Sequence, residues 1–270
     1  MSPPIVVKLG GGAIAEADQI APDLKSLRDR GEALIVVHGG GAQTSELQRA
    51  LGDEPRRIAG RRVTDEAALE ALKMAVGGKL NIDICSTLLA AGASPIGLNG
   101  SSALLIEAVR RPPRVIHGAG DEPIDLGLVG DVKQINLGLI EGLLEAKHIP
   151  VIACIGADAN GTIYNINADV VATQLAIACG ARALVLVSDI VGVLRDPTDP
   201  ASRIGSLDHD GARALIEEGV VTGGMIPKLD EAFKALKRGI GQIHIVGKLA
   251  PGDLQREIET PGHVGTVLTR

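Results

Sequence analysis

The chain has 270 residues, enough to bury a large core either as one α/β unit or as two lobes. Hydrophobic residues make up 45% and charged residues 22%, the balance of an ordinary globular protein, and the net charge of −6 leaves no electrostatic footprint for nucleic acid or an anionic membrane. Tyr164 and Phe233 are its only Tyr and Phe and there is no Trp, so base stacking is excluded as the main way of holding a nucleotide, and base-flipping and single-strand readers with it.

Short β-branched runs alternate with helical patterns along the chain. Strands are expected at Ile5–Leu9 and Leu34–Val37, then a helix at Ala42–Leu51 stopped by Gly52, a long helix at Glu66–Ala91 stopped by Gly92, and a strand at Pro95–Leu98. Residues 109–134, richer in Pro, Gly and charge, read as a hairpin excursion. Pro150–Ile155 is the next strand, Asn160-Gly161 marks a turn with the short strand Thr162–Ile166 after it, and Ala168–Cys179 is a helix stopped by Gly180. Strands at Ala183–Val187, Ile243–Val246 and Thr266–Leu268 and a helix at Leu229–Lys237 complete the reading. A Gly just past a helix suits a left-handed cap. The strands are apolar on both faces, as in a parallel sheet covered by helices, so the expected fold is α/β, a three-layer αβα sandwich around a central, mainly parallel sheet.

Cys85, Cys154 and Cys179 lie far apart in apolar contexts and read as reduced core thiols; no pair has zinc-ligand spacing, and the six His are dispersed. No basic segment followed by an apolar stretch opens the chain, and no apolar run could span a bilayer, so a cytoplasmic location is expected.

Six segments can carry chemistry. Lys8-Leu9-Gly10-Gly11-Gly12 and His38-Gly39-Gly40-Gly41 each run a strand into glycines, whose backbone N–H groups can face an anion; the bland reading is a pair of tight turns. Neither a Walker loop nor a dinucleotide-binding fingerprint is present, so phosphate binding would use another solution. Gly60-Arg61-Arg62-Val63-Thr64-Asp65 offers a guanidinium that can grip a carboxylate at two points, or two solvated arginines before a helix capped by Thr64 or Asp65. In Tyr164-Asn165-Ile166-Asn167-Ala168-Asp169, Asn167 or Asp169 could simply cap the helix that follows. Ser188-Asp189-Ile190-Val191-Gly192-Val193-Leu194 breaks a strand into a loop, the usual ligand position on an open sheet but also ordinary loop chemistry. Gly223-Gly224-Met225-Ile226-Pro227-Lys228 opens a helix, with Pro suited to an early turn.

These motifs occur in the order found in acetylglutamate kinases, and the chain resembles that group of the amino-acid kinase family from Lys8-Leu9-Gly10-Gly11 to Gly262-His263-Val264-Gly265-Thr266. The resemblance implies an amino-acid kinase fold with an N-terminal lobe, residues 1–167, for the acylated amino acid and dimerisation, and a C-terminal lobe, residues 168–270, for ATP. It implies phosphorylation of the γ-carboxylate of N-acetyl-L-glutamate, with Lys8 and Lys228 along the transferring phosphate, Gly11 and Gly40 offering N–H groups, and Asp169 holding both lysines. Arg62 would clamp the α-carboxylate, and Asn165 would position the substrate with Gly40 and Gly41. Ser188, Asp189, Ile190, Val191, Gly192, Val193 and Leu194, together with Gly223, Gly224, Met225 and Lys228, would line the nucleotide site, with Mg²⁺ arriving on ATP.

Two positions depart from the pattern. Ser101-Ser102-Ala103 stands where many members carry Lys-Asp-Gly, and Ile82 where a Lys is common. Rival readings are a kinase acting on a carrier-linked aminoadipate, carbamate and nucleoside-monophosphate kinases on the same fold, and a catalytically silent amino-acid sensor. Arginine-inhibited members resemble one another in an extra N-terminal helix that interlaces dimers into rings. Only Met1-Ser2-Pro3-Pro4 precede the first expected strand here, so the expectation is a homodimer with little arginine inhibition, although His244–Gly247 and Gly262–Thr266 resemble the segment lining the arginine site.

Overall fold

Residues 2–10, 17–116 and 118–270 are described by a computed structural model. The first half of the chain runs β1 (Ile5–Leu9), α1 (Ala17–Asp29), β2 (Leu34–His38), α2 (Gly41–Ala50), β3 (Arg57–Ile58), β4 (Arg61–Arg62), α3 (Glu66–Leu72), a π-helical stretch Lys73–Leu80, α4 (Asn81–Ala90), β5 (Pro95–Leu98), β6 (Ile106–Arg110) and β7 (Gly130–Ile135). It continues with α5 (Leu137–Glu145), β8 (Ile149–Ala153), β9 (Ile155–Ala157), β10 (Ile163–Asn165), α6 (Ala168–Ala178), β11 (Ala183–Ser188), β12 (Ser206–Leu207), α7 (His209–Glu217), α8 (Met225–Lys237), β13 (Gln242–Gly247), α9 (Asp253–Glu259) and β14 (Thr266–Leu268).

β1, β2 and β8 are buried at every residue, because helices cover the sheet on both faces. One eight-stranded sheet, ordered β12-β14-β13-β11-β1-β2-β8-β5, runs through the molecule, and only its β13–β14 pair is antiparallel. The expected α/β sandwich with a mainly parallel sheet is therefore what the chain forms. From β1 the chain builds outward through β2 to β8 and β5, then returns to add β11 and β13 on the other side of β1. The register aligns Leu9 with His38 on one side and with Val187 on the other, so three carboxyl ends meet where strand order reverses, the favoured ligand position of an open α/β sheet.

Gly52, Gly92 and Gly180 take positive φ just past α2, α4 and α6, as the sequence suggests. Two expectations change. Pro150–Ile155 is not one strand: the chain leaves the large sheet after Ala153, and Ile155–Ala157 joins a four-stranded sheet ordered β10-β9-β6-β7. The 66–91 helix is continuous, but its middle is wound as π-helix over the stretch holding Gly77 and Gly78, the least helix-favouring residues in it. The 109–134 excursion is a hairpin: β6 and β7 pair antiparallel, and an Arg114–Ile124 bridge extends the pairing. Val63, Ile116, Leu126 and Val129 form a small core of its own beneath it.

Candidate active site

β1 and β2 end side by side in glycines, and two elements hold those ends in place. Gly10 donates to the Val187 carbonyl at 2.9 Å, and a Cβ on Gly10 would stand 2.8 Å from that oxygen, so this turn admits no side chain. Gly39 lies against Ala168, the first residue of α6. Asn167 caps α6 by accepting the Asp169 N–H at 2.7 Å, which leaves the Asp169 carboxylate free of the helix. That carboxylate reaches Lys8 Nζ at 2.8 Å. Lys8 is almost fully buried at the end of β1, whereas Asp169 is half exposed. The pair thus presents an oriented ammonium beside Gly10 and in the cleft lined by Gly39, Gly40 and Gly41.

The opposite wall is built on β3 and β4. These two-residue strands are joined by Ala59 and Gly60, at φ 45° and 78°, the positive pair of a tight hairpin turn. The hairpin turns Arg62 inward. Its Nη2 donates to the Gly41 carbonyl at 2.7 Å and to Ser45 Oγ at 2.6 Å, and Nη1 donates to Gln48 Oε1. All three acceptors are neutral, and among the described residues no carboxylate pairs with Arg62. Burial, then Arg57 and Arg49, lower its pKa, so this cation is desolvated among like charges. Asp65 caps α3 through the Ala68 N–H, and Thr64 Oγ1 accepts from Asn165 Nδ2 at 2.9 Å, so the chain just after the arginine is tied down.

A cleft of about 720 Å³ joins the two walls, lined among others by Lys8, Gly10, Gly40, Gly41, Arg62, Asn165 and Asp169. The structure therefore brings together the expected lysine, the second glycine turn, the expected carboxylate clamp and Asn165. Gly11 lies outside the described residues. Lys228 is exposed in the first turns of α8; Pro227 and Glu231 line the cleft, and Asp169 pairs with Lys8 alone among the described residues. Ser188 ends β11 beside β1, and the loop after it turns inward. Gly192 and Val193 are buried, the Val193 N–H donates to Thr266 Oγ1 at 2.8 Å, and Asp189 is exposed. Gly223 and Gly224 precede α8, and Met225 opens it half-buried.

Sequence reasoning left out three cleft arginines, Arg57, Arg111 and Arg114. Arg111 donates to Asp131 at 2.6 and 2.9 Å, and Arg114 lies 3.3 Å from the same carboxylate. The basic run Arg110-Arg111-Pro112-Pro113-Arg114 was the available signal, but only the hairpin brings it to the cleft. Cys154 also lines the cleft. Burial pushes its thiol up to about 12, so it stays protonated and is no nucleophile near neutral pH.

Comparison with known proteins places the whole chain in a family. Residues 3–247 match the amino acid kinase family. An acetylglutamate kinase of Sorangium cellulosum (strain So ce56) is 54% identical over 98% of this chain and 94% of its own length, and one of Anaeromyxobacter sp. (strain K) is 52% identical over 98% of each. Among solved structures, smu.665 from Streptococcus mutans UA159 aligns with a TM-score of 0.76 at 29% identity, covering 100% of this chain and 99% of that one. N-acetylglutamate synthase from Neisseria gonorrhoeae, bound to coenzyme A and N-acetyl-glutamate, aligns at 0.80 and 23% identity over 99% of this chain and 59% of that one, a likeness of fold. Sequence, fold and cleft converge on one assignment: the chain belongs to the amino acid kinase family.

Proposed function

We propose that the chain transfers the γ-phosphoryl group of ATP to the side-chain carboxylate of N-acetyl-L-glutamate, giving N-acetyl-L-glutamyl 5-phosphate, an early step of arginine biosynthesis. The observation that carries the reading is Arg62: a buried cation held by neutral acceptors, across a single cleft from Lys8. Such a group is completed by an anionic ligand, and a planar guanidinium matches a carboxylate at two points once Nη2 exchanges its Gly41 or Ser45 contact for the ligand. The names of the relatives at 54% and 52% identity supply the substrate.

A γ-carboxylate ionises with a pKa of about 4.3, so near neutral pH it is already the nucleophile and needs no general base. One carboxylate oxygen forms the new bond to the γ-phosphorus while the bond to the bridging oxygen breaks, and ADP leaves with that electron pair. Two anions must meet, so the protein's task is positioning and charge relief. Lys8, oriented by Asp169, meets the phosphoryl oxygens with the Gly11 and Gly40 N–H groups. Lys228 joins them from the nucleotide side when α8 draws toward the cleft, and Asp169 then serves both lysines. Arg62 takes the α-carboxylate, and Asn165 and the Gly41 turn position the acylated amino acid. The nucleotide lies along Ser188–Leu194 and Gly223–Lys228, with adenine between aliphatic side chains and backbone. Mg²⁺ comes as part of the nucleotide substrate, bound through its phosphates. Residues 1–167 are the substrate lobe and residues 168–270 the ATP lobe.

The protein works as a cytoplasmic homodimer. Ile82 and Leu89, two helical turns apart on α4, are exposed next to β5, the edge of the large sheet, and a second copy would cover them. ATP turnover measured with and without N-acetyl-L-glutamate tests the reading: turnover should depend on the acceptor, and acceptor-independent hydrolysis would refute it.

A further inference from the structure

His38 ends β2 with its ring wholly buried. Its Nδ1 lies 3.0 Å from the Gly39 carbonyl oxygen, and its Nε2 lies 3.0 Å from Asn81 Nδ2. The same Nδ2 lies 3.0 Å from the Val151 carbonyl oxygen. Elementary chemistry assigns every proton in this chain of contacts. A carbonyl oxygen only accepts, so Val151 takes one proton of the Asn81 amide and Gly39 takes the proton on His38 Nδ1. The second Asn81 proton goes to the bare Nε2. His38 is neutral and held in a single tautomer. Burial agrees, lowering its pKa to about 4 against the opposing effect of the bond to Gly39.

The consequence falls on the next peptide. The Gly39–Gly40 bond is trans and planar, so its C=O and N–H point in opposite directions. Drawing the Gly39 carbonyl onto the imidazole turns the Gly40 N–H away from it. Gly40 lines the cleft, and among the described residues no acceptor meets its N–H. With glycine on both sides this peptide plane rotates at little cost unless something holds it. The surroundings are shaped to hold it. Asn81 opens α4 and lies across Gly97 of β5, where a Cβ would collide with Asn81 Oδ1, and Val76 and Leu80 press on Gly40.

We propose that His38 and Asn81 are positioning residues: the buried relay from the Val151 carbonyl through Asn81 and His38 to the Gly39 carbonyl aims the Gly40 N–H at the transferring phosphoryl group. The inference rests on the phosphotransfer reading above and adds to it two residues that touch no substrate.

Two variants separate the ends of the ring. His38→Asn keeps a donor two bonds from Cβ, where Nδ1 stands. His38→Gln places its amide three bonds out, where Nε2 stands, and offers Gly39 nothing. With N-acetyl-L-glutamate and ATP, His38→Gln should lose roughly tenfold or more in kcat at nearly unchanged KM, and His38→Asn should stay within about threefold of wild type, with similar melting temperatures. Equal kcat in the two variants, or kcat losses that follow melting temperature, would overturn the proposal. Nitrogen NMR tests the relay without turnover. The Nδ1-protonated tautomer, with a Gly40 amide shift on adding Mg-AMP-PNP to wild type and His38→Asn but not to His38→Gln, sustains the relay; the Nε2-protonated tautomer overturns it. If wild type shows no turnover, the functional reading fails and the relay is judged on these spectra alone.

Discussion

The two ends of the cleft are built differently. At the carboxylate end, Arg62 is held by three acceptors, Asn165 by Thr64, and the glycine turn by the His38–Asn81 relay, all from buried or half-buried positions. At the nucleotide end, Lys228 and Asp189 are exposed, and Gly223 and Gly224 have nothing near enough to touch even an added Cβ. The back of that end is clamped, by Val193 on Thr266 and by Arg203 on the carbonyls of Gly262, His263 and Gly265. On the proposed reading, folding itself prepares the acceptor side, whereas the segments assigned to the nucleotide make fewer contacts of their own and leave more to be fixed when the ligand binds. Substitutions on the acceptor side should act on a rigid frame; those on the nucleotide side should act on a step that assembles it.

The largest effect is expected at the point where the two ends meet. Lys8→Ala and Lys228→Ala should each lower kcat about 10²-fold or more, with smaller changes in KM, as for loss of one preorganised donor. Because Lys228 stands on the proposed nucleotide side, its variant should also weaken ATP binding, which Lys8→Ala should not. Near-normal turnover of Lys8→Ala would break the comparison at its centre.

Next comes the clamp behind the nucleotide end. Glu257 is buried; desolvation would raise its pKa, but His244 at 2.7 Å and the N–H groups of Gly265, Gly262 and Val264 outweigh it and hold the carboxyl at about 2. A depressed pKa stabilises the fold above the unfolded value, near 4.5, and that contribution is lost as pH falls toward 2. The shift is worth on the order of 3 kcal/mol. Urea unfolding should show Glu257→Gln destabilised by about that amount at pH 7, with the gap to wild type closing between pH 5 and pH 2. A pH-independent gap would mean that the charge is not what matters.

Arg62→Lys keeps a charge but loses the two-point grip, and should raise the KM for N-acetyl-L-glutamate roughly tenfold or more with little change for ATP. Arg61→Lys, on the exposed side of the hairpin, should do neither. The smallest effect is expected for Thr64→Val, which frees Asn165. Losing one hydrogen bond predicts a rise in acceptor KM of roughly two- to tenfold, visible in steady-state kinetics.

How far the molecule is legible from its sequence follows from where the information lies. Ile5–Leu9, Pro95–Leu98 and Thr266–Leu268 are legible to the residue, because composition and punctuation are local. Strand order is not, because the return from β10 to β11 beside β1 is a long-range pairing that no short window contains. The split after Ala153 is hidden for the same reason: Cys154 and Ile155 continue the apolar run, although Cys154 is a bend between strands and Ile155 opens a strand of a different sheet. In the site, Lys8, Arg62, Asn165 and Asp169 are readable from motifs, and their segments do converge on one cleft. Arg57, Arg111, Arg114 and Asn81 are not. Each looks like ordinary surface or helix chemistry until a hairpin or a packed helix carries it inward. His38 stands inside a recognisable motif, yet its use depends on Asn81, 43 positions away.

The claim that Arg62 holds the acceptor's α-carboxylate while Lys8 meets the phosphoryl group arriving at its other end is tested most directly by trapping the acyl phosphate with hydroxylamine. Wild type, given ATP, is compared on N-acetyl-L-glutamate and on its α-amide. Hydroxamate should form readily from the acid and far more slowly from the α-amide, and Arg62→Ala should erase that preference while Lys8→Ala abolishes the product from both. Hydroxamate formed equally from the two acceptors by wild type, or ATP consumed with none formed, would contradict the account.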